Sequence, residues 1–195
     1  MKRSGLFTLV LMFSFSSLCQ ENNLRLKSER FIYNQEFKRA VSLTDSILEA
    51  DTTATWAWNL KGRAEMGLLR YRDALTSFRK AGSYSPDSIP VLTGMGNASY
   101  VTKDWIKAYD NYRESYALDP GDPALLYSMG VLCEQHLNDK PKALQYYNLL
   151  IKQSKLDKET LENWGEAKIV PLPVLAWRRK KNLREEMHFE GKIER

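Results

Sequence analysis

The sequence predicts an all-α solenoid of about four helix–turn–helix units closed by a C-terminal capping helix. Three observations carry that reading. Small residues recur at a period of 34, with Gly62, Gly96 and Gly130 in one column and Ala40, Ala74 and Ala108 in another. A third column holds Leu24, Trp58, Leu92 and Leu126, and a fourth holds Pro86 and Pro120. Between the columns each unit carries two helical patterns split by a few polar residues. One helix pair buries too little apolar surface alone, so stacked pairs must supply the core.

The elements follow in order. "MKR", the apolar "GLFTLVLMFSFSSL" and the polar "SLCQEN" have the layout of an export signal spanning residues 1–19, removed before Gln20. The apolar stretch is short for a bilayer span. Ser17 and Cys19 then take the small-residue positions a signal peptidase needs; a lipid anchor at Cys19 is the weaker alternative, because Leu18 is bulky beside it. The chain is accordingly expected to be exported, to a periplasm or outside the cell. It would keep only Cys133 and form no internal disulfide.

The repeat domain is placed at 20–170, with units at 21–54, 55–88, 89–122 and 123–157 and a capping helix at 158–170 that Pro171 and Pro173 stop. The fourth unit has one extra residue in its "LNDKP" turn. Each Gly is expected to face an Ala where two antiparallel helices cross closely, while Phe78, Tyr112 and Tyr147 fill space a turn further on. Pro86 and Pro120, followed by Asp87 or Gly121, end the second helix of their units. The tail, 171–195, is Pro-interrupted and basic: Leu172, Val174, Leu175, Ala176 and Trp177 form an apolar cluster ahead of "RRKK" and a charged end.

The residues "W..LKG", "YRDALTSFRKA" and "SPD" in 58–87 resemble a tetratricopeptide repeat, and "LTGMGNASY" with "WIKAYDNYRESYALDPGD" in 92–122 resembles another. Leu126, Met129, Gly130, Ala143 and Tyr147 mark a third in 123–157. Residues 21–54 form a weaker first unit, with Ser28 where the family prefers Gly and Thr44 where it prefers an aromatic. The resemblance implies a right-handed superhelix whose concave surface is lined by the first helix of each pair. Exposed positions there would include Arg25, Glu29, Tyr33, Trp56, Asn59, Arg63, Thr93, Asn97, Tyr100, Tyr127, Val131 and Glu134. Rings supply buried area and amides grip a backbone, which suits an extended peptide or a partner helix. Trp56, Arg63, Asn97 and Tyr100 are the leading contacts. Members of the family that hold a C-terminal carboxylate use a spaced set of amides and cations, but Leu60, Pro90, Gly94 and Ser128 occupy those places here, so that mode is not implied.

Composition narrows the remaining classes. With 43% hydrophobic and 27% charged residues the chain reads as an ordinary soluble protein. The net charge of +5 sits at the ends, because residues 21–177 balance twenty basic against twenty acidic groups. A neutral body offers no face for a phosphate backbone, so no nucleic-acid partner is expected. Trp177 beside "RRKK" leaves open weak contact of the tail with a membrane surface. Cys133 and His136 share a helix face, but Cys133 falls in a core-type column, where cysteine acts as a small apolar filler. No phosphate loop, nucleophile motif or metal-ligand spacing is present, so no enzyme activity, cofactor or metal is expected. The reading is a non-catalytic adaptor or scaffold in the cell envelope with a protein or peptide partner. A structural or self-assembling role using the tail is the alternative, and an enzyme acting on cell-wall material has the least behind it.

Overall fold

The computed structural model describes residues 20–164 and 170–193. The export signal expected over 1–19 lies outside the described residues, as do 165–169 of the expected capping helix. The described chain is helical, with no strand among these residues. It divides into two compact units, Met1–Pro86 and Asp87–Arg195.

In the N-terminal unit the first helix covers 20–33 (α1) and is followed by α2 (Phe37–Ala50), α3 (Thr55–Gly67) and α4 (Tyr71–Tyr84). The C-terminal unit contains α5 (Ile89–Val101), α6 (Trp105–Leu118), α7 (Pro123–Gln135), α8 (Lys140–Ser154), α9 (Lys158–Asn163) and α10 (Leu172–Ile193). Pro86 and Pro120 each lie two residues beyond the last helical residue of α4 and α6, where a residue that cannot continue a helix costs nothing. Asp122, Asp139 and Asp157 cap α7, α8 and α9 by accepting from the backbone N–H of Ala124, Lys142 and Thr160.

The turn inside each pair is built the same way. The first helix of each pair closes with a bond from Glu36 N–H to Phe31 C=O, Arg70 to Glu65 and Asp104 to Ser99, at 2.8, 2.9 and 2.9 Å. Gln35, Leu69 and Lys103, just before those donors, take the left-handed backbone conformation, with φ of 60°, 61° and 64°. In the fourth unit the extra residue moves both features on by one: Asn138 has φ 51° and Asp139 N–H bonds Cys133 C=O. Only Asn138 is a residue type that adopts this conformation readily; the other three are held in it by the helices on either side.

The small columns have a different partner from the one expected. Ala40, Ala74, Ala108 and Ala143 are fully buried, yet each glycine meets the aromatic ring of its own pair's second helix. A Cβ built on Gly62 would lie 2.8 Å from the Phe78 ring, on Gly96 2.4 Å from Tyr112 and on Gly130 2.4 Å from Tyr147. Side-chain carbons do not approach so closely, so the ring itself is what requires glycine. In the first unit the two corresponding columns hold Ser28 and Thr44, and both are fully buried. Their hydroxyls are satisfied by backbone carbonyls on their own helices, Ser28 by Leu24 and Thr44 by Ala40 and Val41.

The C-terminal end has a shorter cap than expected, and the Pro-interrupted tail, whose apolar cluster was expected to pack, does so as one helix. α9 is six residues long, and the Pro-interrupted tail is a 22-residue helix. Pro173 is tolerated because it stands in the first turn of α10, where backbone N–H groups have no helical acceptor in any case. Val174, Ala176 and Leu183 are buried, and α10 packs chiefly on α8, with further contact to α7 and α9.

Candidate partner-binding site

Three of the residues expected to meet a partner, Tyr100, Tyr127 and Val131, come together in the C-terminal unit. Tyr100 of α5, Tyr112 of α6 and Tyr127, Ser128 and Val131 of α7 line a cleft of 160 Å³. The repeat chemistry builds it. Because Gly96 leaves room for the Tyr112 ring, the phenol passes α5 and donates to Asn97 Oδ1 at 2.7 Å. Because Gly130 leaves room for Tyr147, that phenol donates to Glu134 Oε2 at 2.5 Å. Burial pushes the hydroxyls of Tyr112 and Tyr147 well above the usual phenol range, so both remain protonated donors. Asn97 itself is exposed, and with its oxygen taken its amide N–H groups have no partner among the described residues. Tyr100 is fixed edge-on against Trp105 at 5.3 Å and His136 at 5.8 Å, while those two rings stack 3.8 Å apart.

The tail enters this site. Arg179 of α10 donates from Nε to Tyr127 Oη at 3.2 Å and from a terminal nitrogen to Glu134 Oε2 at 3.0 Å. It thus takes up two of the residues expected to be open to a partner. Burying Val174 and Leu183 stabilises α10 in place by roughly 1.5–3 kcal/mol each, so Arg179 is a fixture of the site rather than a lid. The basic run is not one patch: successive side chains step around the helix, Arg179 going to α7 and Arg178 to the Trp164 carbonyl at 3.0 Å.

The other expected contacts lie elsewhere. Thr93 shares a hydrogen bond with Ser115 at 2.9 Å and is part of the packing. In the N-terminal unit, Arg25 and Glu29 pair with each other at 3.3 Å, and Tyr33 and Arg63 are exposed. Trp56 lines a separate cleft of 390 Å³ with Gln20, Leu24, Leu43 and Ile47. The Asn59 Oδ1 is buried without a hydrogen-bond partner. Its column explains why: Asn59 stands one period before Thr93, and Ala81 one period before Ser115, so the hydroxyl that satisfies Thr93 is missing.

Sequence reading missed Tyr112 and Arg179. The first was assigned to packing alone, although its hydroxyl also reaches Asn97 on the helix that its ring packs on. The second joins residues 52 positions away in the chain, which no local pattern reports. Cys133 is fully buried, and burial pushes its thiol up to about 11, which keeps it neutral. His136, expected to share a helix face with it, lies instead just past the end of α7 and is stacked on Trp105. Among the described residues no group of three His, Cys, Asp or Glu is placed to hold a metal, and no helix is long and apolar enough to cross a membrane.

Paired helices with a glycine-to-ring contact in three of four pairs define an all-α helical-repeat protein. The fold is that of the tetratricopeptide-repeat solenoids. No family model and no curated protein matches the sequence. Solved structures match by shape. A crystal structure of MamA superposes with a TM-score of 0.63 at 19% identity, covering 85% of this chain and 84% of that one. YrrB, described as a TPR protein with an unusual peptide-binding site, gives 0.63 at 16% identity over 89% of this chain and 88% of its own. A tetratricopeptide repeat protein from Parabacteroides merdae gives 0.63 at 17% identity, with 72% and 56% covered.

Proposed function

We propose that this protein is a non-catalytic interaction scaffold that takes an extended peptide or a partner helix at the tyrosine-lined cleft of its C-terminal unit. The observation that carries the reading is the cleft itself: three tyrosine rings around 160 Å³, one of them bonded to an asparagine whose amide donors are unsatisfied. A cavity of roughly 150 Å³ admits a benzene ring, so the space suits one apolar or aromatic side chain of a partner. The Asn97 N–H groups then meet a backbone carbonyl beside it, which is the division between apolar anchor and polar grip seen in peptide recognition. Hydrogen bonds from Tyr112 and Tyr147 fix the polar groups in advance, so little ordering entropy is lost on binding. Glu134 already carries Arg179, so the site selects for apolar and neutral polar groups there rather than for a cation.

The shape of YrrB, with its peptide-binding site, supports a peptide as the class of ligand. The layout of residues 1–19 supports an exported protein acting in a cell envelope. The test is selection of short peptides from a random library on immobilised protein, followed by affinity measurement against Val131→Arg. Enriched peptides with an aromatic or large aliphatic anchor, bound at least tenfold more weakly by the variant, are the expected result. Peptides indifferent to the substitution would place binding elsewhere.

A further inference from the structure

A cavity of 550 Å³ in the C-terminal unit lies between the end of α8, α9 and α10 and shares no residue with the tyrosine cleft. Ile151, Leu156, Leu161 and Trp177 form its apolar part. Lys158, Lys180, Lys181 and Arg184 stand around it with two acids, Glu162 and Glu185, an excess of positive charge in a chain whose body is neutral. Lys158 is 3.5 Å from Glu162, and Lys181 lies over the Trp177 ring. Lys180 and Arg184 make no ion pair among the described residues, so their charge is available to a ligand.

We propose that this cavity binds a long-chain carboxylate: one anionic head among the cations and one alkyl chain against the apolar wall. The volume falls within the roughly 300–1,000 Å³ of small-molecule sites. The lining also decides against a peptide. It contains no Asn, Gln, Ser or Thr side chain, so the N–H and C=O groups of a buried peptide would lose water and find few partners. An alkyl chain has no such groups to satisfy. A single negative head uses the unpaired Lys180 and Arg184, and Trp177 offers the flat apolar surface next to them.

The experiment is calorimetric titration of the purified protein with sodium dodecanoate below its micelle concentration. Dodecyltrimethylammonium and an acidic peptide with an apolar C-terminal residue serve as competitors in charge and in class. Saturable one-to-one binding of dodecanoate is expected, with no saturable binding of the cationic amphiphile. The double variant Lys180→Glu/Arg184→Glu, with its helical circular dichroism unchanged, should bind dodecanoate about tenfold more weakly, and added salt should narrow that gap. Equal affinity in the variant, equal affinity for the cationic amphiphile, or displacement of dodecanoate by the acidic peptide would each overturn the proposal. So would co-sedimentation with anionic phospholipid vesicles in the absence of one-to-one dodecanoate binding, which would make this a membrane-docking face instead.

Discussion

Gly62 has no side chain because the Phe78 ring, itself 1% exposed, occupies the space where one would go. Gly62→Ala is therefore expected to lower stability by about 1–2 kcal/mol despite the better helix propensity of alanine. In a Phe78→Leu background the same change should cost close to nothing, and a double-mutant cycle by urea unfolding measures the difference. The Ser28 and Thr44 pair is the natural version of that experiment. Read from the sequence, it marked the first unit as the weakest match; in the structure both side chains are fully buried. A second residue reports on charge. Glu65 is 5% exposed and accepts from Ser77 Oγ at 2.6 Å, and burial raises its carboxyl above the ordinary 4.5 against the lowering effect of that bond. A raised carboxyl binds its proton more tightly folded than unfolded. Stability is thus lost as pH rises from the unfolded value through the folded one, and the full penalty is present above it. Glu65→Gln should raise the urea midpoint at pH 7, and the gap to the parent should close below about pH 4, where both states are protonated.

At the scale of elements, helices were legible wherever the 34-residue columns ran, because a repeat imposes the same burial on the same positions. The left-handed turn residues were not legible, since Gln35, Leu69 and Lys103 carry no preference for that conformation and are held there by the helices they join. α10 was read as a broken tail because its two prolines, Pro171 and Pro173, look like stops; one precedes the helix and the other falls in its first turn. Its packing makes it part of the C-terminal unit's core. Leu183 is 1% exposed, and Leu183→Ala should cost about 2–4 kcal/mol by urea unfolding. Arg179 adds a consequence for the site: it is 30% exposed and bonded to Glu134 and Tyr127, so loosening α10 should also release both of these residues.

For the molecule as a whole, the fold was legible and the site was legible in part, for one physical reason. Periodic packing leaves a local signature, whereas Arg179 reaches Glu134 across 45 positions and Tyr112 bonds Asn97 on the neighbouring helix. The residues that a repeat pattern nominates therefore overlap the candidate site without containing it, since Tyr112, Ser128 and Arg179 were not among them. Packing withdrew Thr93, the tail engaged Tyr127 and Glu134, Tyr100 and Val131 were left lining a cleft, and Asn97 holds the Tyr112 phenol. The central claim is that this cleft holds a partner. The most direct measurement replaces Tyr100 with a photo-crosslinking phenylalanine derivative in cells, with the same residue at exposed Lys107 on α6 as a control, and identifies captured chains by mass spectrometry. Reproducible capture of one partner from position 100, absent from position 107 and lost when Val131→Arg is added, is the expected result. Capture that is the same from both positions, or that survives Val131→Arg, would contradict it.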